Sequence, residues 1–220
     1  MIKAILFDFD GVIAETFSGH LEAWKEIFDP EGIVPTKEAI LLNEGSSARN
    51  IAKAIGRSNQ RDFSDAQAIH YAEQKNKIFR SKHRVRIFPE IPLLVEKARL
   101  LQLRIGLVTG ASLANLKAVV PESLLAQFDC IVKDGDTERN KPFPDPYLHA
   151  ARQLGVTPQE CLVIENAPLG IQSAKNAGAF CVALMTTLPE EHLLKADVLY
   201  SNHNELLDHL EALVSRQDDG

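Results

Sequence analysis

Apolar positions along the chain follow two rhythms. Ile2, Ala4, Ile5, Leu6 and Phe7 form a nearly unbroken run, which predicts a short buried strand ended by a turn at Gly11. Leu21, Trp24, Ile27 and Phe28 then recur at helical spacing, and Pro30 with Gly32 closes that helix. Helical periodicity continues over 36–43, 47–56 and 64–82, and no strand is expected between 14 and 86. After a helix from Phe88 to Leu103 the pattern alternates. Strands are predicted at Arg104–Thr109, Phe128–Val132, Cys161–Glu165, Ala179–Leu184 and Ala196–Tyr200. Helices fill the gaps, including 144–154, 168–177 and 203–214, and Ser215–Gly220 should fray.

One strand, an all-helical block, then alternating strands and helices predicts an α/β fold. The expected architecture is a three-layer Rossmann-like core with a parallel sheet, formed by 1–15 and 87–220, and an inserted all-helical cap domain over 16–86. A chain of 220 residues suffices for both units. The net charge is −6 with lysines and arginines dispersed, which argues against a nucleic-acid or membrane-surface partner. No stretch reaches membrane-spanning length, and the N-terminus lacks a signal-peptide pattern. Cys130, Cys161 and Cys181 fall in or beside strands without metal-ligand spacing. A cytoplasmic protein with reduced core thiols is the expectation.

Ligands in open parallel sheets bind at the carboxyl ends of strands, so those ends carry the argument. Asp8 and Asp10 leave the first strand on the same side of the backbone, and their mutual repulsion calls for a cation, a shared proton or a basic group. The second strand ends in Thr109-Gly110, and the loop after the third holds Lys141 beside Pro142. The fourth ends in Glu165-Asn166. Together these suit phosphoryl transfer. One carboxylate attacks phosphorus, a second acid handles protons, and a cation, for which Mg²⁺ fits, faces the phosphoryl charge. Thr109 and Lys141 can hold phosphoryl oxygens.

In these four ordered motifs, spread over essentially the whole chain, the sequence resembles the haloacid dehalogenase superfamily, in the helical-cap branch that includes β-phosphoglucomutases and small sugar-phosphate phosphatases. The resemblance implies that Asp8 is the nucleophile and Asp10 the general acid/base. It puts Thr109, Gly110 and Lys141 on the phosphate, and Asp8, Asp10, Glu165 and Asn166 at Mg²⁺. Asn166 departs from the family, which usually has an acid there. The amide either coordinates metal more weakly, with Glu165 compensating, or only orders the turn before the next helix.

The cap carries the substrate question. His20 to Trp24 resembles the family's H-x-x-A-W segment, and Arg49 and Lys75-Asn76 resemble mutase groups that grip substrate. As plain residues, Trp24 is expected to pack a helix face, while Arg49 and Lys75 lie on polar faces where solvated charge is the default. Against a mutase, the loop after Thr109 reads Gly110-Ala111-Ser112-Leu113, which offers no cation for a second phosphate. The expected function is a Mg²⁺-dependent phosphatase on a small phosphorylated metabolite such as a sugar phosphate, through an aspartyl phosphate on Asp8. A phosphosugar mutase and a non-catalytic phospho-ligand binder are the alternatives. The cap should close over hinges near 13–17 and 84–90. A monomer is expected, with a dimer as the alternative.

Overall fold

The computed structural model describes residues 1–82 and 85–215. Its strands are β1 (Ala4–Phe7), β2 (Ala14–Glu15), β3 (Arg86–Ile87), β4 (Arg104–Val108), β5 (Cys130–Val132), β6 (Cys161–Glu165), β7 (Phe180–Leu184) and β8 (Val198–Tyr200). Six of them form one parallel sheet in the order β5-β4-β1-β6-β7-β8. From β1 the chain first adds β4 and β5 on one side, then returns to place β6 on the other. That reversal opens a crevice above the carboxyl end of β1, where such sheets bind ligands.

Helices are α1 (Phe17–Phe28), α2 (Lys37–Leu41), α3 (Ala48–Ser58), α4 (Asp65–Lys82), α5 (Ile91–Leu100), α6 (Leu113–Val119), α7 (Glu122–Leu125), α8 (Asp145–Leu154), α9 (Pro168–Ala177) and α10 (His203–Ser215). Successive side chains of β1 enter opposite layers. Ile5 and Phe7 pack with α5, α6 and α10, while Ala4 and Leu6 pack with α8 and α9. Both faces of the sheet are therefore covered, which is why β1 and β6 are apolar without alternation. The α/β architecture is as the sequence predicts, with strand limits within two residues.

Helices α1–α4 have a core of their own, in which Trp24, Phe28, Ile40, Ile55 and Phe63 pack together. Phe28 stacks between Trp24 and Phe63, at centroid distances of 5.6 and 5.8 Å. One expectation is corrected. The stretch between 14 and 86 is not free of strand, because Ala14 and Glu15 pair antiparallel with Ile87 and Arg86. The two chain crossings between the helical unit and the sheet run side by side, and even two residues of each satisfy backbone groups by pairing. Position 84 of the expected second hinge, and positions 216–220 of the expected frayed tail, lie outside the described residues.

Candidate active site

Three strand ends converge. Beyond β1, the amides of Gly11 and Ile13 bond back to Ala14 and Phe9 at 2.8 and 2.9 Å, a tight loop that presents Asp8 and Asp10. Gly11, at φ +76°, is required there, since a Cβ would lie 2.1 Å from Asn166 Nδ2. The loop before α8 sends Lys141 under the crevice, where its Nζ donates to Asp8 Oδ1 and Glu165 Oε1, both at 2.7 Å, and to the Val108 carbonyl at 3.1 Å. Lys141, Asp8 and Glu165 are all at least 98% buried. Burial opposes the lysine's charge, but Asp8 and Glu165 overcome it and raise its proton affinity above the ordinary value. Asp8 is pushed up to about 8 by burial and by Glu165, against the pull of Lys141.

Glu165 is fully committed within the protein. Its Oε1 also accepts from the Tyr147 hydroxyl at 2.7 Å, and Oε2 accepts from the Asn166 and Ala167 amides at 3.1 and 3.4 Å. Gly170 on α9 makes room for this carboxylate, since a Cβ would lie 1.8 Å from Oε1. Asn166 is wholly buried, and its Nδ2 donates to Thr187 Oγ1 at 2.9 Å and Glu44 Oε2 at 3.3 Å. Thr109 ends β4 and is buried, its Oγ1 accepting from the Ala111 amide at 3.0 Å. Gly110 lies against the helical unit so closely that a Cβ would sit 2.8 Å from the carbonyl oxygens of Gly45 and Ser46.

The helical unit contributes the other wall. His20 Nε2 lies 3.0 Å from Asp10 Oδ1. Burial would raise Asp10, but His20, Thr16 and Lys75 together outweigh it and hold the carboxyl below its ordinary range. Lys75 corrects the sequence expectation of a solvated charge. It is buried, with Nζ 5.1 Å above Phe79 and 5.8 Å above Trp24. The signal was present, since Ala68, Ala72, Lys75 and Phe79 share one helical stripe and the lysine takes a core position in it. Arg49 follows the bland expectation and stays exposed on α3. It faces an outer groove toward Asn140 and Phe143, apart from Asp10.

Glu44, Tyr147 and Thr187 were not singled out from sequence. Tyr147 is indistinguishable there from a packing residue of α8, and Glu44 sits in a turn outside any periodicity. Glu44 is 96% buried, and burial together with Asp10 and Asp8 pushes its carboxyl well above the usual range.

Three buried oxygens in this region, Asp8 Oδ2, Glu44 Oε1 and Asn166 Oδ1, have no hydrogen-bond partner. Orphaned oxygens beside excess acid are the arrangement a hard cation satisfies. Among the described residues no three His, Cys, Asp or Glu side chains form a metal cage. Here the free donors are two carboxylates and an amide, a set that suits an ion keeping several waters.

A family model for haloacid dehalogenase-like hydrolases matches residues 5–184. The chain belongs to that family. As a haloacid dehalogenase-like enzyme it is 34% identical over 176 residues to fructose-1-phosphate phosphatase YqaB of Escherichia coli, covering 79% of this chain and 92% of that one. It is 30% identical over 217 residues to a β-phosphoglucomutase of Bacillus subtilis, covering 93% and 92%. The solved β-phosphoglucomutase of Clostridium difficile superposes with a TM-score of 0.83 at 28% identity, covering 96% of each chain. No helix among the described residues is long and apolar enough to cross a membrane.

Proposed function

We propose that this haloacid dehalogenase-like enzyme is a Mg²⁺-dependent phosphatase for small sugar monophosphates, with 16–86 acting as a cap over a core of 1–15 and 87–220. Relatives named as a fructose-1-phosphate phosphatase and as a β-phosphoglucomutase both support a phosphosugar. The observation that favours hydrolysis is the cleft between Asp10 and the helical unit, about 590 Å³ of empty space with open solvent at its mouth included. Lys75 is the one lysine or arginine among its described lining residues, and Asp10, Glu44 and Asp134 share that lining. Such a wall gives a second phosphate little cationic grip, while Ser46, Ser112 and Trp24 suit the hydroxyls and carbon face of a sugar. Arg49, the mutase-like cation, lies outside this cleft.

In this reading Lys141 and Thr109 steady the phosphoryl oxygens, and Asp8 attacks phosphorus in line while the bond to the sugar oxygen breaks. Asp10 is held as the carboxylate, so it must first take up the proton that it passes to the departing oxygen, and a protonated His20 ring at 3.0 Å is placed to give it. Asp10 then takes a proton from water, which attacks the aspartyl phosphate to release inorganic phosphate and restore Asp8. Asp8, the Asp10 backbone carbonyl and Asn166 would hold Mg²⁺, which when bound offsets negative charge on the transferring group. Glu165 keeps Lys141 in place, because both its oxygens are already engaged. The assembled nucleophile, lysine and acid favour turnover over passive ligand binding.

Free phosphate release from a panel of sugar monophosphates tests the proposal. Activity should require Mg²⁺ and disappear with EDTA, and silence across the panel would contradict it. A second expectation concerns Lys75, whose proton affinity is pushed down to about 8 by burial, against Asp10 and Glu44. The charged amine is lost as pH rises through that value. KM should therefore climb between about pH 7 and about pH 9, while Lys75→Met shows a higher, pH-flat KM.

A further inference from the structure

Asn166 is an amide where the family that the sequence resembles usually has an acid, and the helical unit places a carboxylate beside it. Glu44 is 4% exposed and follows α2 in a turn held by its own amide on Leu41 O and by Ser46 Oγ on Asn43 O. Gly45, at φ +85°, lets the chain reverse over Lys141, whose Cδ would be 3.0 Å from a Cβ there. The turn is thus seated on the ends of β1 and β6. Glu44 Oε2 accepts from Asn166 Nδ2, Thr187 Oγ1 is the second acceptor, and the amide oxygen is left free. Glu44 Oε1 is free as well, and Glu44 lies close enough to Asp8 and Asp10 for mutual repulsion.

We infer that Glu44 is the acid that completes the divalent-cation site in place of an acid at 166, so that the bound cation ties the helical unit to the sheet. Glu44 does this in two ways. Its one oxygen orients the Asn166 amide with oxygen toward the cation, as partners behind metal ligands do. Its other oxygen restores the missing negative charge, directly or through a metal-bound water. The cation then bridges two units that the chain joins only at its crossings, and its binding favours their closed arrangement. The inference shares with the phosphatase reading only the need for Mg²⁺.

Mg²⁺ titration calorimetry of the full chain, without substrate, tests it. Glu44→Gln, isosteric and neutral, should weaken Mg²⁺ binding by about tenfold or more. Adding Asn166→Asp to that variant should bring affinity back to within about threefold of wild type. In wild type, Mg²⁺ should slow amide hydrogen exchange at 43–46, and in Glu44→Gln it should not. Glu44→Gln binding within about twofold of wild type, or no Mg²⁺ protection of 43–46 in the wild-type chain, would overturn the inference. Phosphate release by wild type alongside either result would leave the phosphatase reading standing.

Discussion

Asp8→Asn should remove phosphate release, by at least about 10⁴-fold, without unfolding the protein. The amide has the shape of the carboxylate but is a poor nucleophile, so the acyl phosphate does not form. The substitution should also change how stability depends on pH. Asp8 is buried beside Glu165 and its proton affinity is raised to about 8. A carboxyl raised in the folded state contributes stability below the unfolded value near 3.8 and loses it as pH climbs through 8. In EDTA, wild-type melting temperature should fall from pH 5 to pH 8 through this group, and the Asp8→Asn curve should be flatter. Thermal melts across that range check the sign.

Lys141→Met should be costly to both fold and activity. Its ammonium group is the shared partner of Asp8 and Glu165 at 2.7 Å in a site closed to water. Removing one member of a buried ionic cluster strands the others, typically at about 3–5 kcal/mol. For a chain of this size that lowers the melting temperature by on the order of 10 °C. Activity should fall by at least about 10²–10³-fold, since a positive charge facing the phosphoryl oxygens is lost as well. A melting temperature within about 2 °C of wild type would mean that the cluster is not a stabilising unit.

The core of the site was legible because the sheet is parallel and buried on both faces. Each strand then reads as an apolar run, and the polar residue that ends it stands out, as Asp8, Thr109 and Glu165 do. Lys141 stands out by its place beside Pro142 and by its order among the motifs, although it reaches Asp8 across 133 residues of sequence. The helical unit was harder to read. Lys75 shares a stripe with Ala72 and Phe79, yet a lysine on a helix defaults to solvent, and the rings of Trp24 and Phe79 together with the nearby Asp10 and Glu44 show why it is tolerated inside. Glu44 has no local signature. Its meaning depends on a turn meeting Asn166 from 122 residues away, a coincidence of tertiary structure. The same holds for Glu165. Its sequence neighbours suggest a metal ligand, whereas its contacts give it to Lys141 and Tyr147. The two-residue pairing of β2 with β3 was invisible for a simpler reason, since two residues carry no periodicity.

Whether water or a sugar hydroxyl receives the phosphoryl group is the question on which the account turns. One assay decides it. The enzyme with Mg²⁺ is given β-glucose 1-phosphate primed with glucose 1,6-bisphosphate, and inorganic phosphate and glucose 6-phosphate are followed together, beside fructose 1-phosphate in a parallel reaction. The account predicts free phosphate from the monophosphates with no build-up of glucose 6-phosphate, abolished by Asp8→Asn. Stoichiometric glucose 6-phosphate without free phosphate would contradict it, and would mean that the acid-lined cleft accepts a second phosphate after all.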